Sequence, residues 1–198
     1  MRVAVIGAPG GRGRRVVRDL LERPEVSRVV LIGAADRDAD RLAASFDPRR
    51  AVPAPVPTTV EGISEALDGL DVALACLDAV GEGASGAELT ALEAAVATGV
   101  PYVTSCEDPG TIEAMFAAKS GDATLAIPGM SWTPGASNLL IRAGAERLDG
   151  VRAVRVAWCT SRREEGADGL GRLLAAWSGD AGVIVGGVLR PRKAGGRS

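Results

Sequence analysis

The chain has 198 residues, enough for one generous domain or one domain and part of another, and is 46% hydrophobic but only 3% aromatic. A formal net charge of -2 and the scarcity of stacking side chains exclude the electrostatic and aromatic footprint of a nucleic-acid binder. No run approaches the roughly 18 apolar residues of a membrane helix, the apolar start is too short and wrongly flanked for a signal peptide, and three scattered cysteines with no histidine leave neither a disulfide framework nor a metal site; a cytoplasmic protein is expected.

The first element is the apolar strand Val3-Ala4-Val5-Ile6, which runs into Gly7-Ala8-Pro9-Gly10-Gly11-Arg12-Gly13 and then a helix through Leu21. A strand, a glycine-dense turn and a helix together present backbone N–H groups to a phosphate. Glycine serves the tight turn, the approach of backbone to pyrophosphate, and the packing of helix on strand. Gly7, Gly10, Gly11, Arg12 and Gly13 are therefore the expected cradle of a dinucleotide. Pro9 has no N–H to contribute. Residues 28–33 read as a second buried strand leading to Asp36 and Arg37, about where such folds place the side chain that reads the adenosine ribose. Asp36 is the candidate ribose acceptor, and Asp38 could fill the same stretch as a helix cap. Arg37, or Arg12 inside the turn, could instead pair with a 2′-phosphate. Both NAD and NADP remain open on this reading.

The proline-rich residues 47–57 predict a surface connection with a short edge strand. A helix over 61–67, a fourth strand over 71–77, and a glycine loop with Asp78, Gly81, Gly83 and Gly86 follow. Cys76 and Asp78 stand where a nicotinamide would lie, although Cys76 also reads as a small buried hydrophobe and Asp78 as a turn residue. An Ala-rich helix over 87–98, a fifth strand over 102–105 delivering Glu107 and Asp108 to the same sheet edge, a helix over 109–119 and a sixth strand over 123–127 complete the alternation. With histidine absent, Asp78, Glu107 and Asp108 are the candidate acid–base groups. Six strand–helix alternations imply an α/β fold, a doubly wound parallel sheet of the Rossmann type.

The sixth strand leads into Pro128-Gly129-Met130-Ser131-Trp132-Thr133-Pro134-Gly135-Ala136-Ser137-Asn138-Leu139-Leu140. With the glycine turn, the Ala-Asp-Arg-Asp end of strand two and the Gly-Val-Pro-Tyr-Val-Thr-Ser stretch, this segment resembles the saccharopine dehydrogenase family over nearly the whole chain. Two positions depart from the family pattern: the glycines stand at 7, 10 and 13 with Pro9 between them, and Thr104 occupies a place where members commonly carry Asp. The resemblance implies NAD(P)-linked oxidoreduction at a carbon–nitrogen bond of an amino-acid-like substrate, and a Rossmann domain followed by a substrate and dimerisation domain, hence a homodimer. The residues themselves predict a helix with Thr133 as N-cap and Pro134 at its first position, whose unsatisfied N–H groups could hold a substrate carboxylate with Trp132 and Asn138 near it, or a capped helix whose Trp132 packs into the domain junction.

A domain boundary is expected at Gly150, with 1–150 binding the dinucleotide and 151–198 forming the start of an incomplete α+β domain. Residues 151–159 read as a strand, 170–177 as an apolar helix, 183–189 as a hairpin or edge strand, and 190–198 as a mobile basic tail. An alternative is a dinucleotide-binding module without turnover.

Overall fold

The computed structural model describes residues 1–33, 38–77, 82–118, 124–132, 134–157, 180–185 and 188–193. In chain order the elements are β1 (Arg2–Ile6), α1 (Gly11–Leu21), β2 (Arg28–Gly33), α2 (Asp38–Ala43), β3 (Ala51–Pro55), α3 (Val60–Leu67) and β4 (Val72–Ala75). They continue as α4 (Glu82–Thr98), β5 (Tyr102–Thr104), α5 (Pro109–Ala118), β6 (Ala126–Ile127), α6 (Ala136–Ala145), β7 (Asp180–Val185) and β8 (Val188–Lys193). Two compact units result, Met1–Val154 and Arg155–Ser198.

In the first unit six strands form one sheet in the order β3-β2-β1-β4-β5-β6, every neighbouring pair parallel. The doubly wound α/β expectation is met. The chain starts at the centre, winds outward through β2 and β3, then returns to build β4 to β6 on the other side of β1. Strand order therefore reverses between β1 and β4, and a crevice opens at the C-terminal ends of those two strands.

Side-chain parity explains why both faces of the sheet are covered. Val3, Val5, Val29 and Leu31 point to one face and are buried with Val17 of α1 and Leu42 of α2. Ala4, Ile6, Val30, Ile32, Ala73 and Ala75 point to the other and pack against Ile63 and Leu67 of α3 and Ala91, Leu92, Ala94 and Ala95 of α4. Strands apolar on both faces read as continuous apolar runs, which is why β2 is visible in the sequence at its full length. Alanine on α4 lets helix and sheet approach closely.

Several expectations need correction. Gly83 and Gly86 lie inside α4 rather than in a loop over the crevice; apolar packing further along the helix outweighs their low helix propensity. Helix α6 begins at Ala136 with Gly135 as its N-cap, and Thr133, the expected cap, lies outside the described residues. Gly135 has φ +123°, and a Cβ there would collide with the Ser131 carbonyl oxygen. The turn is closed by backbone bonds from Ser131 N–H to Pro134 O (3.1 Å) and from Ala136 N–H to Ser131 O (2.8 Å).

Residues 151–157 are exposed and form no strand, because none of the described strands pairs with them. Residues 190–193 are not a mobile tail. They belong to β8, antiparallel to β7, with Lys193 opposite Asp180 and Val188 opposite Val185. Pro191 is accommodated because a two-stranded ribbon has only edge strands. The helix expected over 170–177 lies outside the described residues.

The tightest joint in the first unit is between α1 and the turn after β1. A Cβ on Gly13 would collide with the Gly7 carbonyl oxygen and come within 2.8 Å of the Ala8 Cα. Gly13→Ala is expected to destabilise the protein by about 1–3 kcal/mol, the range for overpacking a tight contact. Urea unfolding checks this, and a midpoint unchanged from wild type would contradict the described joint.

Candidate functional site: a glycine cradle at the strand-order reversal

Gly7, Gly10 and Gly13 have separate tasks in the first turn. Gly7 adopts φ +80°, and a Cβ there would stand 2.7 Å from the Cys76 carbonyl oxygen, so only glycine lets the turn pass over the end of β4. Its N–H and that of Ala8 both donate to Ile32 O, at 2.9 and 3.2 Å, and Gly10 N–H donates back to Gly7 O at 3.0 Å. Pro9 needs no N–H in this arrangement. Its ring lies where a Cβ on Gly33 would be, 2.9 Å away, so the glycine ending β2 makes room for it. Gly10 is the N-cap of α1, and Gly13 supplies the close packing already described.

The N-terminus of α1 has no side-chain cap. Gly10 has no side chain to cap it, and the first turn contains no acidic residue. The helix itself supplies no acceptor for the amides of Gly11 and Gly13. Arg12, Arg14 and Arg15 then place cations at the positive end of the helix dipole, against the ordinary preference. Departures from local rules of this kind collect at ligand sites, and an anion would reverse the conflict. The residues present therefore fit a dinucleotide pyrophosphate.

Arg12 reaches away from this cradle and across the crevice. Its Nη1 donates to the carbonyl oxygen (2.9 Å) and hydroxyl oxygen (2.8 Å) of Ser105, just past β5, and its Nη2 stands 3.5 Å from Glu107 Oε1. Ser105 in turn donates through its hydroxyl to Ala75 O at 3.3 Å, at the end of β4. Glu107 also accepts a hydrogen bond from the Ser131 hydroxyl in the loop before α6. One guanidinium thus links the first turn of α1 to the loops after β5 and β6. This placement is at odds with Arg12 pairing a 2′-phosphate, since β5 lies on the far side of β1 from β2, where the ribose would be read.

The other sequence candidates divide clearly. Cys76 is buried at the end of β4 among Val3, Val5 and Val17, a small hydrophobe under the turn. Asp108 caps α5: its Oδ2 accepts from both the N–H and the hydroxyl of Thr111, each at 2.7 Å. A carboxylate spent on a cap is not poised for proton transfer, so Asp108 is removed from the acid–base candidates. Trp132 is 68% exposed, and Asn138, on the first turn of α6, accepts from the Ser137 hydroxyl at 3.1 Å. Neither joins the Arg12 network. Asp36, Arg37 and Asp78 lie outside the described residues.

Sequence reasoning missed Ser105, Ser131 and Glu88. Glu88 sits on α4 at only 3% exposure, and accepts from Tyr102 Oη at 2.8 Å and from Thr104 Oγ1 at 2.9 Å. The Thr104 oxygen also accepts from Cys106 N–H at 3.0 Å, so this cluster fixes the start of the β5 loop that carries Ser105 and Glu107. Thr104 is itself fully buried, which makes its place structural. The available signal was the chain's single Tyr in a strand beside an Ala-rich helix with one acidic residue on its buried face.

Burial pushes the Glu88 carboxyl above the ordinary glutamate range, against the opposing pull of the Tyr102 and Thr104 hydroxyls and of Arg12. A raised folded-state value means that the stability this group contributes is complete below the unfolded-state pKa of about 4.3 and is lost as pH climbs through the folded-state value. Relative to wild type, Glu88→Gln is therefore expected to gain stability as pH is raised from about 4 to about 8. Urea midpoints of both proteins across that range measure the gap, and a gap independent of pH would contradict the assignment.

Comparison with known proteins extends these observations. The family model for the saccharopine dehydrogenase NADP binding domain matches residues 3–126. The structure is similar to apo saccharopine dehydrogenase (L-Glu forming) from Saccharomyces cerevisiae, with 16% identity and a TM-score of 0.57 over 74% of this chain and 31% of that one. It is also similar to Pen from Bacillus thuringiensis, with 15% identity and a TM-score of 0.50 over 64% of this chain and 48% of that one. These two likenesses show the fold, and the chain spans about a third and about half of those proteins' lengths. No curated protein matched the sequence. The segment 128–140 lies beyond the family match, whereas the cradle, Arg12, Glu88, Ser105 and Glu107 all lie within it. The chain accordingly belongs to the saccharopine dehydrogenase NADP-binding-domain family, and NAD(P) is its cofactor.

Proposed function

We propose that this protein is an oxidoreductase acting at the carbon of a carbon–nitrogen bond in an amino-acid-like substrate, with NADP(H) held across the reversal point between β1 and β4. The observation that carries the reading is the uncapped, glycine-lined N-terminus of α1 at that point, inside a family of NADP-binding domains. The cofactor supplies hydride transfer when bound. The amides of Gly11 and Gly13 would hold its pyrophosphate, with Gly10, whose N–H is given to Gly7 O, leaving room for it by having no side chain, and Asp36 and Arg37 would read the adenosine ribose and its 2′-phosphate. Cys76, buried under the turn at Gly7, would form the floor of the cradle. Asp78 is the proposed acid–base residue, since Asp108 is a cap and Glu107 is paired with Arg12.

The substrate is proposed to lie on the β6–α6 side, near Trp132 and Asn138. A cytoplasmic homodimer is the proposed assembly, supported by Leu139 and Leu140 of α6, which stand exposed on the first unit. Among the described residues, both carboxylates at the β5 edge are already committed. That observation favours, as a second reading, a dinucleotide-binding module that does not turn over.

Titration calorimetry with NADPH and NADH, followed by assays of nicotinamide absorbance with a panel of amino acids and of oxo acids with amines, tests both. Saturable NADPH binding with turnover supports the enzyme, and binding without turnover supports the module. Absence of binding overturns both. Gly10→Val provides the site-specific control. With φ -65° and ψ 165° at Gly10, valine is tolerated by the backbone, so the fold should persist while NADPH affinity falls roughly tenfold or more. Unchanged affinity would remove the cradle from the site.

A further inference from the structure

The Arg12 network raises an electrostatic question that cofactor binding alone does not answer. Glu107 is an acidic side chain, 37% exposed, at the C-terminal edge of the sheet. It shares the guanidinium of a residue in the first turn of α1, the turn that must receive a pyrophosphate. Pyrophosphate is anionic, and an uncompensated carboxylate facing the same crevice would oppose it. Arg12 is bound to Glu107 and doubly to Ser105, and only 23% of its side chain is exposed, so it is held in place rather than freely solvated.

We propose that Arg12 is a positioning residue that admits the pyrophosphate by cancelling Glu107, and that the two side chains act as one unit. Three features support this. The Arg12 fork is oriented by the carbonyl and hydroxyl of Ser105, whose hydroxyl is itself anchored to Ala75 O. Glu107 is turned toward Arg12 while accepting from Ser131, which fixes the carboxylate from the β6 side. The loop carrying Ser105 and Glu107 is pinned from below through Thr104, which bonds both Glu88 and the Cys106 amide. The same bridge joins the cradle to the loop before α6, so the phosphate end of the site and the proposed substrate side share one set of hydrogen bonds.

This inference rests on the NADP-binding reading and makes a claim of its own: the cost of losing Arg12 is set by Glu107. A double-mutant cycle on the 198-residue chain tests it, using NADPH affinity by calorimetry, with circular dichroism and a thermal melt on every variant. Arg12→Ala should weaken NADPH by about tenfold or more, and Glu107→Gln alone should change affinity by less than about threefold. Arg12→Ala combined with Glu107→Gln should recover most of the loss, and Arg12→Lys, which keeps the charge without the fork, should retain most of the affinity. If Arg12→Ala costs the same in the wild-type background as in the Glu107→Gln background, removing the carboxylate compensates nothing and the coupling is refuted. If Arg12→Ala fails to fold, Arg12→Lys and Glu107→Lys carry the test: Glu107→Lys should bind NADPH at least as tightly as wild type, and weaker binding would refute the proposal. Failure of wild type to bind NADPH would instead overturn the cofactor reading itself.

Discussion

The contact between Gly13 and the carbonyl of Gly7 governs the first unit. It sets how closely α1 can lie on the turn after β1, and any side chain at position 13 would force them apart. Because α1 lies so close, its first turn opens directly over the ends of β1 and β4, where the strand order reverses. Gly7 at φ +80° and Gly33 under the Pro9 ring complete the same fit. Close approach and phosphate capture are therefore one requirement: glycines that bring the helix in also leave its amides uncovered.

That geometry has an electrostatic cost, and the rest of the site deals with it. Arginines at the start of α1 oppose the helix dipole, while Glu107 places negative charge across the crevice. Arg12 links the two, and Ser105, Ser131 and the buried Glu88 cluster hold the loops that present them. An anion seated on α1 would complete this balance. The buried carboxyl of Glu88 then has a structural logic of its own, since it accepts the hydroxyls of Tyr102 and Thr104 and anchors β5 beneath the loop.

The sheet is legible because its central strands are apolar on both faces and four of the six meet glycine or proline at their ends; the expected second strand and β2 share the same bounds, Arg28 to Gly33. The cradle is legible for a similar reason, as the strand–turn–helix context leaves few other uses for glycines three apart. Helix starts are harder. Thr133-Pro134 looks like a helix beginning, but the positive φ of Gly135 moves the cap two residues along. Asp108 shows that a carboxylate after a strand end satisfies two patterns, a catalytic group and a helix cap, and only the 2.7 Å bonds to Thr111 separate them. The Arg12–Ser105 contact joins residues 93 apart, beyond any local pattern. The exposed residues 151–157 show the limit of alternation, since a strand requires a partner as well as a period.

The central claim is that the pyrophosphate of NADP(H) seats on the first turn of α1. Amide-resolved NMR titration of the protein with NADPH tests it most directly. The account predicts that the amides of Gly10, Gly11, Arg12 and Gly13 shift most and saturate together, with the Ser105 and Glu107 amides following through the Arg12 bridge. Saturable binding that leaves Gly10 to Gly13 unmoved would contradict it.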